Sequence, residues 1–259
     1  MKYYIGFNWD KKLRTNNEYP YCFLSVAVNY SKYEYKKLVG WKINNAQDIM
    51  LDSGGFSLLN RFGDYPFSID TFVQWVHEMN KENDNKVNSV ATPDYPCEEE
   101  INRKCKYKTN YERIYRTVQN AEECMDLYPE INWMPVIQGY EPSEYELCLN
   151  LYRDAGIKPE KFAIGSMCRR LNVKKIEYHI KNLIENGLKE KIHIFGLCKT
   201  GMKSKYLFDN VDSCDSIGYT FNAVDQKDTK KRFDDMLDTV GGYMIMNREQ
   251  MSLWDYIKI

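Results

Sequence analysis

Asp48-Ile49-Met50-Leu51-Asp52-Ser53-Gly54-Gly55 is a short apolar run closed by a carboxylate and a pair of glycines. An apolar run of this length bounded by turn residues reads as a buried strand, and consecutive glycines let backbone approach a ligand closely. An α/β barrel displays a catalytic acid in this way, at the carboxyl end of a strand. The same letters also suit an ordinary turn or a helix cap, so the rest of the chain must decide.

Outward from this stretch the chain alternates. Tyr3 to Trp9 and Phe23 to Val28 read as strands before it. After it, Ile69 to Asn80 carries Phe72, Val73, Val76 and Met79 at helical intervals, and Val87 to Ala91 returns to a strand. Helical patterns over Asn110 to Leu127, Ser143 to Ala155 and Val173 to Glu185 then alternate with strands at Trp133 to Ile137, Phe162 to Ile164 and Lys191 to Phe195. Cys214 to Tyr219 is the next expected strand, and Asp228 to Leu237 and Gln250 to Tyr256 read as helices. Strands separated by helices imply right-handed crossovers and a parallel sheet. The number of units and the length of 259 residues suit a TIM-type (β/α)8 barrel, regular or irregular. No long polar linker, repeat or low-complexity tract interrupts the pattern, so residues 1–259 are expected to form a single domain.

Composition narrows the class without naming a partner. The 36 basic and 37 acidic residues give a net charge of −1, which does not announce a nucleic-acid binder but can conceal a local basic face. Eight scattered cysteines and an amino terminus, Met1-Lys2-Tyr3-Tyr4, without an apolar signal segment fit a reducing cytoplasm. No C-x-C or C-x-x-C pair occurs, and His77, His179 and His193 are isolated, so neither a sequence-local metal site nor a cofactor is expected. There is no apolar stretch of about 20 residues to cross a bilayer.

Chemistry in a barrel gathers where the strands end, and polar residues recur at those places. Asp52 follows Ile49-Met50-Leu51, Asp94 follows Val90-Ala91-Thr92-Pro93, and Gln138 and Gly139 follow Pro135-Val136-Ile137. Gly165 and Ser166 follow Phe162-Ala163-Ile164, Gly196 follows Ile194-Phe195, and Val211-Asp212-Ser213-Cys214-Asp215-Ser216 adds two carboxylates.

This series resembles the tRNA-guanine transglycosylase superfamily, in order as well as in letters. Asp52-Ser53-Gly54-Gly55-Phe56 is similar to its D-S-G-G-[FY] segment, Val136-Ile137-Gln138-Gly139 to V-Q-G, and Ala163-Ile164-Gly165-Ser166 to A-I-G-G. His193-Ile194-Phe195-Gly196-Leu197 is similar to H-x-x-G-V, and Val211 to Ser216 to V-D-x-F-D-[CS]. The resemblance implies a TIM barrel that exchanges guanine in nucleic acid for a 7-deazaguanine base. It implies Asp215 as the nucleophile on the sugar C1′ and Asp52 as the proton-transfer group. Two carboxylates suit this work, since one can trap an oxocarbenium-like centre while the other protonates the leaving base and deprotonates its replacement.

The resemblance further implies that Asp94, in Ala91-Thr92-Pro93-Asp94-Tyr95-Pro96, accepts ring and amino protons of the base, with Gln138 and the Gly165 backbone on the opposite edge. Gly139, Ser166 and Gly196 fall in the same substrate-binding segments, and Phe56 and Phe195 fall where the family sandwiches the base. Filling of the barrel by these two rings, and a strand-ending turn at Gln138-Gly139, are the plainer alternatives. Asp212 competes with Asp215 for the nucleophile's role, but their three-residue offset puts them on opposite faces of a regular strand. The motif match favours Asp215.

Departures from the family bear on the substrate. Members that act on tRNA follow the nucleophile strand with L-P-T-R and a C-x-C-x-x-C…H zinc site, whereas Ile217-Gly218-Tyr219-Thr220-Phe221 stands here and no cysteine follows Cys214. A barrel without the zinc subdomain looks most like the DNA-modifying branch of phages and bacterial genomic islands, which inserts 7-deazaguanines such as preQ0 into DNA. Phosphate contacts are expected from Arg169, Arg170, Lys199, Lys203 and Lys205, with Lys227, Lys230, Lys231 and Arg232 as further phosphate-contacting cations or a solvated face. A tRNA-guanine transglycosylase of reduced architecture, a non-catalytic nucleic-acid-binding barrel subunit, and a barrel enzyme for a small phosphorylated substrate stay open as alternatives. So do the preferred base, a homodimer, and a requirement for partner proteins.

Overall fold

In a computed structural model, residues 1–7, 11–29, 42–167, 172–220 and 223–257 are described. Among them nine short strands run parallel: β1 (Lys2–Gly6), β2 (Tyr21–Ser25), β3 (Asp48–Asp52), β4 (Val87–Ala91), β5 (Trp133–Met134), β6 (Val136–Ile137), β7 (Lys161–Ile164), β8 (Lys191–Ile194) and β9 (Ser213–Ser216). Their order in the sheet is β5-β4-β3-β2-β1-β9-β8-β7-β6. The two ends of this order are one chain segment interrupted by Pro135. Proline cannot donate to a ladder, yet its carbonyl accepts the Ala163 N–H at 2.9 Å while the Met134 carbonyl accepts the Thr92 N–H at 3.3 Å. The sheet therefore forms a nearly closed, irregular TIM-type barrel, and the expected continuous strand Trp133 to Ile137 is split at Pro135.

Among the described residues ten helices accompany the strands: α1 (Lys11–Thr15), α2 (Val26–Asn29), α3 (Gly55–Phe62), α4 (Ile69–Glu82), α5 (Glu99–Asn102), α6 (Asn110–Leu127), α7 (Pro142–Asp154), α8 (Val173–Glu185), α9 (Lys205–Asn210) and α10 (Gln226–Ile257). Their starts are chemically legible. Ser68 accepts the Thr71 N–H before α4, Thr109 and Glu112 form a reciprocal capping box before α6, and Asn172 accepts the Lys175 N–H before α8.

Side chains alternate between the two faces of each strand. One set, Tyr4, Met50, Ala91, Met134, Val136 and Ala163, meets inside the barrel. The other set, which includes Tyr3, Ile5, Cys22, Leu24, Ile49, Leu51, Ile164, Ile194 and Cys214, packs outward against the apolar faces of the helices. Each large apolar side chain buried there contributes roughly 1.5–3 kcal/mol. Seven cysteines are free thiols, all buried except the half-buried Cys198, and Cys168 lies outside the described residues. No helix among the described residues is long and apolar enough to cross a membrane.

Several expected boundaries move. The first strand ends at Gly6, and residues 8–10 lie outside the described residues. Phe23 to Val28 is a strand only to Ser25, where α2 begins, and β9 stops at Ser216 before a 3-10 turn, Gly218–Thr220. The two separate carboxyl-terminal helices are one, α10.

Candidate active site

The paired glycines after β3 serve the neighbouring loop. Gly54 adopts φ 80°, where a side chain is strained, and a Cβ on it would stand 2.6 Å from the Ala27 Cβ. A Cβ on Gly55 would lie 2.7 Å from the Asp94 carbonyl oxygen and 2.9 Å from its Oδ1. The turn thus lets the loop after β4 close onto the end of β3 and brings Asp94 beside Asp52.

Asp94 is buried and held from several directions. Ser53 donates to its Oδ1 at 3.1 Å, and Gln138 Nε2 donates to its Oδ2. The Tyr65 hydroxyl accepts from the Asp94 N–H at 2.9 Å and donates to its carbonyl at 2.8 Å. Gln138 reaches Asp94 because its amide lies over Gly165, where a Cβ would stand 2.2 Å from Nε2. Across the amide, Oε1 is 2.8 Å from the hydroxyl of Ser166, a buried residue at φ 54°. That hydroxyl also accepts the Cys97 N–H at 2.9 Å and lies 2.8 Å from the carboxylate of buried Glu98. With one proton to give, Ser166 donates either to Gln138 or to Glu98. Asp94, Gln138, Ser166 and Glu98 thereby form a continuous polar row along one side of the mouth.

The electrostatics distinguish the carboxylates. Burial, followed by the charges of Asp94 and Asp215, pushes the Asp52 carboxyl up to about 7 against hydrogen bonds from Ser25 and the Gly54 N–H. Burial likewise raises Asp94 to about 6, with Glu98 adding to it and the Gln138 and Ser53 hydrogen bonds opposing it. Asp52 therefore changes protonation near neutrality, as a group that must both give and take a proton requires.

Asp215 stands on β9 and is held differently. The parallel register sets His193 opposite Ser213, so that Ser213, His193 and Asp215 meet inside the barrel. His193 Nε2 is 3.2 Å from Asp215 Oδ1, its Nδ1 is 3.0 Å from the Ser213 hydroxyl, and the Gly196 N–H donates to the same Oδ1 at 3.0 Å. Burial holds His193 below its usual range, in the neutral form. A carboxylate only accepts, so Nε2 carries the hydrogen and Nδ1 accepts from Ser213. Two donors thus fix Oδ1, and Oδ2 has no hydrogen-bond partner among the described residues. Asp212 lies at the other end of the strand, where its Oδ2 caps the Ile192 N–H at 2.9 Å and it lines a floor cavity of about 350 Å³.

Other expected site residues are placed less directly. Phe195 packs edge-on against His193 and Phe23, with ring centroids 5.1 and 6.2 Å away, at the barrel interior. Phe56 belongs to a different apolar cluster, with Leu59, Tyr95, Ile101 and Cys105. At Gly139 a Cβ would stand 2.6 Å from the Tyr145 backbone nitrogen, so this glycine admits α7. Lys199 lines a cavity of about 320 Å³ with Lys231 and Arg232, while Arg169 and Arg170 lie outside the described residues. Several of the other expected cations are already paired: Lys205 with Asp209 at 2.6 Å, Arg232 with Asp228 at 2.8 Å, and Lys230 with Asp234. Among the described residues no group of three or more His, Cys, Asp or Glu side chains is arranged to hold a metal ion.

Residues that sequence reasoning did not assign to the site include Ser53, Tyr65, Glu98, His193 and Ser213. Ser53 had a signal in its adjacency to Asp52, and His193 in its two-residue offset from Phe195, which puts both on one strand face. The family model described as DpdA, deoxypurine in DNA protein A, matches residues 13–231, a span that contains this entire mouth. No curated protein matches the chain.

Proposed function

The chain belongs to the DpdA family, the DNA-modifying branch of the tRNA-guanine transglycosylase superfamily that works with 7-deazaguanine, and on that premise we propose that it exchanges guanine in DNA for a 7-deazaguanine such as preQ0 through a covalent Asp215-glycosyl intermediate. The observation that carries this reading is the contrast between the two facing acids. Asp215 has one oxygen fixed by His193 and Gly196 and the other free, whereas Asp52 is poised to titrate near neutrality.

In the first half-reaction, Asp215 Oδ2 bonds to C1′ as the C1′–N9 bond to guanine breaks, and protonated Asp52 supplies the proton that the departing base requires. In the second, Asp52 takes the N9 proton of the incoming base, whose nitrogen bonds to C1′ while the C1′–Oδ2 bond breaks. Each half keeps the sugar attached to an atom throughout, as in retaining glycoside hydrolysis. Asp94 reads the ring and amino protons of the flipped base, Gln138 and the Gly165 backbone meet its opposite edge, and Ser166 fixes which end of the Gln138 amide faces the base. Phe56 and Phe195 flank the base, a contact of about 1–3 kcal/mol per base where stacking is complete. Gly139 and Gly196 shape the loops around it, and Arg169, Arg170 and Lys199 contact phosphate. The catalytic acids and the base-reading groups of this reaction all come from one domain, residues 1–259, and its partners are DNA and the free 7-deazaguanine base.

Gly165→Ala tests the base-reading part. The added methyl displaces the Gln138 amide, leaving Asp94 without that donor. An unmade buried hydrogen bond costs about 1–3 kcal/mol, so KM for the free base should rise roughly 5- to 150-fold with a smaller change in kcat. An unchanged KM contradicts the assignment of Gln138. For the reaction itself, DNA labelled in its guanine bases is incubated with unlabelled preQ0. The expected result is release of guanine and incorporation of preQ0 in equal amounts with the strand uncut. Guanine release that leaves abasic sites overturns exchange in favour of simple hydrolysis.

A further inference from the structure

The loop between α5 and α6, Arg103-Lys104-Cys105-Lys106-Tyr107-Lys108, carries four cations in six residues. Its backbone is fixed. Cys105 is fully buried, the Lys106 N–H donates to the Gly63 carbonyl at 2.7 Å, and fully buried Arg113 donates from Nη1 to the Tyr107 carbonyl at 3.0 Å. With Cys105 turned inward, Arg103, Lys104, Lys106 and Lys108 are all exposed.

Their charges are not equally available. Lys106 pairs with Asp64 at 3.3 Å, but the Arg103, Lys104 and Lys108 side chains make no ion pair or hydrogen bond among the described residues. This contrasts with Lys205, Lys230 and Arg232, each engaged by a carboxylate one helical turn away. Arg103 and Lys104 also line a cavity of about 610 Å³ together with Glu98, Ser166 and Tyr140, so these two cations adjoin the polar row that ends at Asp94, and exposed Lys108 lies four residues further along the same loop. The exposed ring of Tyr140 gives this cavity an aromatic wall. Glu99 and Glu100 border the same cavity, so the attraction for a polyanion lies on its 103–108 side.

We propose that Arg103, Lys104 and Lys108 form a clamp on the sugar-phosphate backbone of the strand whose base enters the mouth. The proposal rests on DNA being the substrate. Phosphate contacts of this kind hold a nucleic acid in register without reading its sequence, which is what a site that reads one flipped base needs from its rim.

The test is a salt series of equilibrium binding to a guanine-containing duplex, using the full chain. Each lost phosphate contact lowers the slope of log K against log salt by about 0.9. The triple variant Arg103→Gln, Lys104→Gln, Lys108→Gln should therefore lose about 2–3 from the slope and bind uniformly more weakly across sequences. The comparison variant Lys86→Gln, Lys158→Gln, Lys189→Gln removes the same charge from exposed turns before β4, β7 and β8, at the opposite end of the barrel, and should keep the wild-type slope. A clamp variant with the wild-type slope, or a comparison variant with an equal loss, overturns the proposal. Base exchange is read separately: wild-type protein that binds the duplex but exchanges no base contradicts the proposed function and leaves the clamp standing. Thermal melting of both variants checks that the substituted surfaces leave the barrel folded.

Discussion

Asp215→Ala is expected to abolish base exchange and with it any protein–DNA adduct that survives denaturation. Loss of an acting nucleophile removes on the order of 10⁴- to 10⁶-fold in turnover, because the other groups of the site cannot replace the covalent step. The substitution also deprives His193 Nε2 and the Gly196 N–H of their acceptor, at about 1–3 kcal/mol for groups left unpaired in the interior. Asp215→Asn separates these effects, since the amide oxygen still accepts from both donors while the nucleophilic charge is gone. Both variants should be inactive, and the Asn variant should melt closer to the wild type. Exchange by the Ala variant, measured with labelled base, contradicts the assignment.

Asp52→Asn should lower exchange by roughly 10²- to 10⁴-fold, the usual share of a positioned acid and base, and at the same time stabilise the protein at alkaline pH. The sign follows from the direction of its shift. The carboxyl moves up from 3.8 to about 7 on folding, so the fold disfavours its ionised form. The stability associated with the protonated group is fully present below about 4 and is lost as pH rises to about 7. Asparagine cannot ionise, so the gain in melting temperature should be absent at pH 4 and largest above pH 7. In the wild type, kcat/KM should fall as pH rises through about 7, because the acid that serves the leaving guanine is then deprotonated. Melting curves and pH profiles of the two proteins check both statements, and an alkaline limb that persists unchanged in residual Asp52→Asn activity assigns the titration to another group.

The alternation of strands and helices was legible in the sequence because most strands are built around a short apolar run and the longer helices carry an apolar stripe. Asp52, Asp94, Gln138 and Asp215 were legible for a related reason, as polar residues placed at strand ends. Where sequence reading fell short, the missing information was long-range. The barrel closes at Pro135 through the carbonyls on either side of it, and a run such as Trp133 to Ile137 does not disclose that its two halves pair with different neighbours. The helix Gly55–Phe62 starts after only Ser53 and Gly54, so its first turn is hidden in the paired glycines.

The glycines make the same point at atomic scale. Gly54-Gly55 reads as room for a ligand, yet its immediate demand is the approach of Ala27 and Asp94, and Gly139 answers to α7. The support of Asp215 by His193 depends on register between strands 20 residues apart in sequence, which no local pattern records. The exposure of the cations at 103–108 likewise depends on Cys105 and Arg113 being buried, which no local pattern records.

One competition experiment bears most directly on the central claim. The protein is mixed with labelled preQ0, guanine-containing duplex DNA and tRNA in equal amounts, and the label is traced after digestion of each nucleic acid to nucleosides. The expected result is label recovered as a 7-deazaguanine deoxynucleoside from the DNA, with none in the Asp215→Ala reaction. Label in the tRNA alone, or in neither nucleic acid, contradicts the account.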